Sequence, residues 1–227
     1  MIGANISMPF KQKVFPYLDE VDEMARKIGS VNTIVHRDGK LKGYNTDGIG
    51  FFRSLPPAFS IEGKTMVLLG AGGAALAIIA QAIHLGVKRI LVFVREERLV
   101  HYRSKVQLLE DAFDFLIELY AIEKNEDVQS SFNQADLILN ATGVGMDGQS
   151  LPIASHLTFP PQALIVEMAY YPAVTPFLQL AVNQGNQRVN GLGMLFYQAE
   201  AAFELMTGKV FPTESVGEAL TTEYHQF

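Results

Sequence analysis

Cysteine is absent from the 227 residues, which excludes disulfides, thiolate zinc sites and cysteine nucleophiles. That absence is compatible with a reducing cytoplasm, the expected location. Histidine is scarce: His36, His84, His101, His156 and His225 are the full set. They show no metal-ligand spacing, and no metal is expected. Positive charge is also short, with 18 lysines and arginines against 24 acidic residues and a net charge of -6. No basic stripe results, so nucleic acid is not expected as a partner. Long apolar runs are lacking too. The run from Ala74 to Ala80 stops at Gln81, far short of the ~20 residues a membrane span needs, so no membrane partner is expected. The opening Met1-Ile2-Gly3-Ala4-Asn5 lacks the charged and apolar regions of a signal peptide. No glycine-serine nucleophile motif is found.

What is present is an ordinary globular composition, 48% hydrophobic and 19% charged, with room for one large domain or two small ones. From Lys64 onward, short β-branched runs alternate with helical patterns, the signature of a parallel sheet with crossover helices. Strands are predicted at Thr65-Leu69, Ile90-Val94, Ile117-Tyr120, Leu137-Asn140, Leu164-Met168 and Arg188-Asn190, with helices such as Ala74-Leu85 and Arg98-Asp111 between them. This spacing predicts an α/β fold with a doubly wound parallel sheet of the Rossmann type. The first fifty residues have another rhythm: a turn at Pro9, a polar helix through Tyr17-Ile28, and strands around Asn32-His36 and Leu41-Tyr44 joined at Asp38-Gly39. They read as a separate, smaller α/β lobe. The consecutive prolines of Leu55-Pro56-Pro57 mark a linker running to Gly63. Residues 1–55 are therefore assigned to the small lobe and 60–194 to the dinucleotide-binding domain. The last helix, Leu195-Met206, carries Phe196, Ala199, Phe203 and Met206 on one stripe and is ended by Gly208. C-terminal helices over residues 195–227 are expected to complete the first lobe.

Thr65 to Leu69 runs straight into Gly70-Ala71-Gly72-Gly73-Ala74-Ala75 and an Ala/Ile-rich helix, the strand-turn-helix context that gives a glycine-rich motif its meaning. Gly70 permits the tight turn, Gly72 lets the backbone approach a pyrophosphate, and Ala75 supplies the small contact between helix and sheet. A tight turn without a ligand is the competing reading. The next strand should end in the reader of the adenosine ribose, and here Arg95-Glu96-Glu97-Arg98 follows Val94. A carboxylate favours the free 2′-hydroxyl of NAD and arginines favour the phosphate of NADP; Glu96 or Glu97 inclines the reading to NAD. The alternative is a solvated charged turn.

Three segments in order, Gly3 to Lys11, Gly29 to Ile34 and Gly43 to Gly48, give the chain a resemblance to the shikimate dehydrogenase family. The resemblance continues through Asn140 to Met146, Glu167 to Pro172 with Thr175, and Gly191 to Leu195 leading to Gln198. Lys64 to Gly70, Glu167 where an aspartate is frequent, and Gly208 to Pro212 look closest to the quinate/shikimate dehydrogenase branch, whose members can use NAD as well as NADP.

The resemblance implies reversible hydride transfer between a ring hydroxyl of shikimate or quinate and NAD or NADP, giving 3-dehydroshikimate or 3-dehydroquinate. The family's catalytic lysine and aspartate fall on Lys11 and Asp47, and a paired carboxylate can hold and tune an ammonium for proton transfer. Taken alone, Lys11 is one of several lysines, and Asp47 could cap a helix beginning at Gly48. Substrate contacts carry over to Ser7, in place of the commoner threonine, Asn32, Tyr170 and Gln198. Cofactor contacts carry over to Ala71, Gly72, Gly73 and Ala74 at the pyrophosphate, Glu96 and Glu97 near the ribose, and Gly143, Met168 and Gly191 near the nicotinamide half. Two departures stand out. The usual asparagine-arginine-threonine phosphate reader appears as Val94-Arg95-Glu96, which favours NAD. The family also has two further βα units before the Gly-x-Asn motif, about sixty residues at about thirty per unit, including two serines that hold the substrate carboxylate. Their absence is expected to expose edges and apolar surface that another chain, as in a homodimer, would cover. The competing expectations are a catalytically impaired cofactor-binding remnant or regulatory module, and another two-lobed dehydrogenase acting on folate or amino-acid derivatives.

Overall fold

A computed structural model of the chain describes residues 1–224. In chain order it contains β1 (Gly3–Asn5), β2 (Glu20–Val21), α1 (Glu23–Ile28), β3 (Thr33–Arg37), β4 (Lys40–Tyr44) and α2 (Asp47–Arg53). These are followed by β5 (Thr65–Leu69), α3 (Gly73–His84), β6 (Arg89–Val94), α4 (Leu99–Phe113), β7 (Ile117–Ala121), α5 (Asn125–Phe132), β8 (Leu137–Asn140) and β9 (Leu164–Glu167). Next come α6 (Pro176–Gln184), β10 (Arg188–Val189), α7 (Leu192–Thr207) and α8 (Thr213–Tyr224). The chain divides into two compact units, one formed by Met1–Ser54 with the segment from Gly193 onward, the other by Leu55–Leu192. No helix among the described residues is long and apolar enough to cross a membrane.

The larger unit holds a six-stranded parallel sheet in the order β10-β9-β8-β5-β6-β7. The β5 strand is central because Met66, Val67, Leu68 and Leu69 are all fully buried, as a strand covered by helices on both faces requires. One face packs Val67, Leu69, Leu91, Phe93, Ile138 and Ile165 against Val128, Phe132 and Phe177. The chain winds outward from β5 to β6 and β7, then returns to place β8 on the other side of β5. That reversal makes the crevice beyond the carboxyl ends of β5 and β8 the topological switch point, where open α/β sheets bind ligands.

The smaller unit has a four-stranded sheet in the order β1-β3-β4-β2, antiparallel except for the β2-β4 pair. The β3-β4 hairpin turns at Asp38 and Gly39, both with positive φ (53° and 77°), the geometry of a two-residue hairpin turn. The helix expected over Tyr17-Ile28 is shorter than its pattern suggested. Asp22 caps it by accepting the Met24 N–H at 3.0 Å, and Glu20–Val21 is drawn off to pair with Lys42 and Gly43. Helix α7 extends past the predicted Leu195-Met206 at both ends, and Gly208 follows it with φ of 67°. The β1 strand has no sequence signal, since a three-residue strand is too short to show alternation.

Candidate active site

The hairpin and the start of α2 assemble a polar cluster inside the smaller unit. Lys11 Nζ donates to Asp47 Oδ2 at 2.6 Å, with side-chain exposures of 19% and 7%. The lysine therefore keeps a path to solvent while the carboxylate is nearly enclosed. Asn32 Nδ2 donates to Asp47 Oδ1 at 2.7 Å and to Thr46 Oγ1 at 2.9 Å, and Asn32 Oδ1 accepts from the Thr46 N–H and from Thr33 Oγ1. Both Asp47 oxygens are thus held, one by an ammonium and one by an amide. Asp47 is the first residue of α2, and Thr46 occupies the cap position without a side-chain bond to the helix. The carboxylate that could have capped α2 is turned to Lys11 and Asn32 instead.

Helix α7 joins this cluster by close backbone approach. A methyl on Gly50 would lie 2.5 Å from the Gln198 backbone nitrogen, so α2 and α7 meet as they do only because residue 50 lacks a side chain. Thr46 Oγ1 donates to the Gln198 carbonyl at 3.0 Å, and Gln198 Nε2 donates to the Leu195 carbonyl. Lys11, Asp47, Asn32 and, through Thr46, Gln198 are therefore brought together. Ser7 is exposed in the segment leading to Lys11, where its carbonyl accepts the Phe10 N–H at 2.9 Å. Tyr170 belongs to the other unit and is 39% exposed in the segment after β9. Thr46, Thr33 and Asn45 escaped the sequence reading. They lie inside the Gly29 to Ile34 and Gly43 to Gly48 segments, which is the signal that could have found them, and the structure buries all three.

In the larger unit, Gly70 has φ of 96° and a methyl there would press 3.0 Å from the Ala141 carbonyl oxygen. The turn itself demands that glycine. Gly72 and Gly73 differ: a methyl on either meets nothing within 4 Å. Gly72 caps α3 without a side-chain bond, leaving the first-turn amides of α3 facing an uncluttered surface. Ala71 is buried and Ala74 partly exposed at the same turn. Beyond β6, Glu96 and Glu97 are exposed in a short 3₁₀ turn; Glu97 pairs with Arg95 at 3.1 Å. The Glu96 N–H donates to the carboxylate of Glu123 at 3.0 Å. Glu123, beyond the end of β7, is a further acidic group at this place that sequence reasoning missed because it is distant along the chain.

Gly143, Met168 and Gly191 follow β8, β9 and β10 respectively. A methyl on Gly191 would fall 1.9 Å from the Met168 carbonyl oxygen, so backbone crowding alone accounts for that glycine. Asn140 and Glu167, opposite each other in register, are both fully buried. Burial pushes the Glu167 carboxyl above the usual range, against the pull of the Ala169 N–H, Asn140 and Thr175. Among the described residues no group of three or more His, Asp and Glu side chains is placed to hold a metal ion.

A doubly wound parallel sheet with a glycine-rich turn at its switch point, in one chain with an α/β unit carrying a lysine-aspartate pair, is the architecture of a two-domain dinucleotide-dependent dehydrogenase. Comparison with known proteins narrows this. Residues 1–34 match the shikimate dehydrogenase substrate binding domain and residues 191–221 the shikimate 5′-dehydrogenase C-terminal domain. The chain is 54% identical over 220 residues to the shikimate dehydrogenase (NADP(+)) of Streptococcus gordonii, covering 97% of this chain and 77% of that protein. Among solved structures, the shikimate 5-dehydrogenase of Listeria monocytogenes in complex with shikimate and NAD is 37% identical, with a TM-score of 0.90 over 97% of this chain and 78% of that one. The quinate dehydrogenase of Corynebacterium glutamicum in complex with NAD is 28% identical, with a TM-score of 0.86 over 98% of this chain and 78% of that one. The chain belongs to the shikimate dehydrogenase family.

Proposed function

We propose that the chain is a quinate/shikimate dehydrogenase that oxidises a ring hydroxyl of shikimate or quinate, and reduces the corresponding ketone, with a nicotinamide dinucleotide. The observation that carries this reading is the 2.6 Å Lys11-Asp47 pair, with a part-exposed ammonium and a nearly buried, doubly held carboxylate. In the oxidative direction Lys11 Nζ, as the amine, takes the hydroxyl proton; in the reductive direction the ammonium returns it to the forming alkoxide. Asp47 holds the ammonium in place and stabilises its charge, and Asn32 holds Asp47. Both amide hydrogens of Asn32 are spent on Thr46 and Asp47, so its part in binding a ring hydroxyl is assigned through Asp47. Ser7, Gln198 and Tyr170 supply the remaining hydroxyl and amide contacts to a polyhydroxylated ring.

The glycine-rich turn fits a dinucleotide: the open faces of Gly72 and Gly73 have no packing reason to lack a methyl, whereas a pyrophosphate approaching the backbone supplies one. Ala71, Gly72, Gly73 and Ala74 would hold the pyrophosphate, Glu96 and Glu97 the adenosine ribose, and Gly143, Met168 and Gly191 the nicotinamide half. The bound dinucleotide supplies the acceptor or donor of the hydride. NAD is favoured over NADP in this reading, because at the mixed-charge turn Arg95 to Arg98 the carboxylates of Glu96 and Glu97 are joined by Glu123, and Arg95 is paired with Glu97 at 3.1 Å. The Streptococcus gordonii relative is named for NADP(+) and the Listeria monocytogenes structure holds NAD, so both cofactors enter the test. Cytoplasmic residence and a homodimer belong to the same proposal.

The test is an absorbance assay of the purified chain that crosses shikimate and quinate with NAD and NADP, with Lys11→Ala as control. Turnover that the control loses is the expected result. A folded chain that binds dinucleotide yet turns over neither substrate would replace the proposal with a cofactor-binding remnant.

A further inference from the structure

Asn140 and Glu167 end adjacent parallel strands, each opposite the other in register. From Asn140 a chain of bonds fixes the loop that follows β8. Its Oδ1 accepts from Thr142 N–H and Oγ1 at 3.1 and 2.7 Å. Its Nδ2 donates to the Val144 carbonyl at 2.9 Å and to Glu167 Oε2 at 2.7 Å. Thr142 Oγ1 in turn accepts the Val144 N–H at 3.0 Å. Both amide hydrogens of Asn140 are thereby used, and the loop is folded around Gly143.

Glu167 does the same for the loop that follows β9. Its Oε1 accepts the Ala169 N–H at 3.0 Å, and its Oε2 accepts from Thr175 Oγ1 at 3.1 Å. Thr175 also accepts the Leu178 N–H and so caps α6; its hydroxyl hydrogen is therefore free to go to the carboxylate. Asn140, Glu167 and Thr175 are each fully buried. The Glu167 carboxylate meets three donors from three places in the chain and is the one group bonded to all of them. A glutamine at 167 offers one acceptor oxygen and an NH₂ that opposes at least one of those donors, and an unmet buried donor is costly. Nothing in the proton transfer assigned to Lys11 and Asp47 uses Glu167.

We infer that Glu167 is a positioning residue for the nicotinamide half of the cofactor, its buried carboxylate clamping together the loops that carry Gly143 and Met168. This rests on the dinucleotide assignment made above. No side-chain hydrogen bond of the clamp reaches the acidic turn after β6 or the glycine-rich turn after β5, whose Gly70 meets Ala141 and Thr142 by packing alone, so the adenosine half of the ligand depends on the clamp less than the nicotinamide half does. Loss of the clamp should therefore act on one half of the dinucleotide more than on the other.

The experiment measures the affinity of wild type, Glu167→Gln and Glu167→Asp for NADH and NADPH by fluorescence titration. ADP-ribose and its 2′-phosphate, which lack the nicotinamide, serve as probes of the adenosine half. Glu167→Gln should weaken the reduced dinucleotide about tenfold or more while leaving the ADP-ribose probes within about twofold, since small misplacement of a positioned group is expensive. Glu167→Asp, which keeps an anionic acceptor for the Ala169 N–H, should retain more of the affinity than glutamine. Should the glutamine variant fail to fold, Thr175→Val, which removes one donor to the carboxylate together with the α6 cap, should show the same selective loss in smaller degree. A folded glutamine variant with wild-type affinity for NADH and NADPH overturns the inference, as does equal loss of dinucleotide and ADP-ribose binding. Wild type that binds neither class of probe overturns the dinucleotide assignment itself, and the inference with it.

Discussion

Replacing Gly50 by alanine should destabilise the chain, although the same change in an exposed helix would stabilise it. Alanine gains about 1 kcal/mol over glycine in a helix interior, and Gly50 lies within α2. Against this, the new methyl would stand 2.5 Å from the Gln198 nitrogen and 2.8 Å from its Cα, where ordinary contact needs about 3.5 Å. Both neighbours are backbone, so no side chain can rotate away and α7 must retreat by roughly 1 Å. The bond from Thr46 Oγ1 to the Gln198 carbonyl, now 3.0 Å, would then pass the ~3.0 Å limit of a sound O–H···O bond. Overpacking of about 1 to 3 kcal/mol and one lost bond of about 1 kcal/mol, less the helix gain, leave a net loss of about 1 to 3 kcal/mol. For a chain of this size that corresponds to a fall in Tm of roughly 3 to 10 °C. Gly217 in α8 is the matched control, since a methyl there meets nothing within 4 Å; Gly217→Ala should hold or raise Tm. Calorimetry or circular dichroism melts of the three proteins decide the matter. A Gly50→Ala variant that melts at or above wild type would refute the claim that α2 and α7 are in backbone contact. Turnover should fall with Tm in this variant, because the same displacement loosens Thr46 beside Asp47.

Three other outcomes are expected. Asp47→Asn should lower kcat by about a hundredfold or more with little change in the circular dichroism spectrum, because the group that holds Lys11 loses its charge; a variant within a few-fold of wild type would remove Asp47 from the chemistry. Gly191→Ala should cost about 3 kcal/mol or more in denaturant unfolding, since its methyl would fall 1.9 Å from a backbone oxygen, and a midpoint near wild type would contradict that crowding. Glu167, raised above its ordinary range chiefly by burial, takes up its proton at a higher pH in the folded chain than in the unfolded one. Its contribution is therefore fully present below the unfolded value and is lost as pH rises through the folded value. Consequently the stability of wild type relative to Glu167→Gln should fall from acid to neutral pH in denaturant titrations, and a relative stability that rises with pH would show the sign to be wrong.

The parallel sheet was legible because its information is local. Met66 to Leu69 is a continuous apolar run followed at once by the glycine-rich turn, and a central strand covered on both faces needs nothing else to declare itself. The glycine-rich turn was legible for the same reason. Residues of the small unit spoke less clearly: the pattern of Tyr17 to Ile28 was as good for a helix as the observed path, and only the pairing of Glu20–Val21 with Lys42 and Gly43 broke it in two. Lys11 and Asp47 were reached through a resemblance, because 36 positions of separation leave no periodicity to read.

What the amino-acid order determined by itself is therefore the class of the larger unit, its strand succession and the place where an anion could approach the backbone. Each depends on neighbours within a turn or a strand. Tertiary structure alone decided that Asp47 turns from its helix to Lys11 and Asn32, that Gly50 exists for α7, and that Glu167 gathers donors from a strand end, a loop and a helix cap. Those facts depend on atoms brought together from distant segments, where the low tolerance of packed interiors for unmet donors and extra volume selects one arrangement.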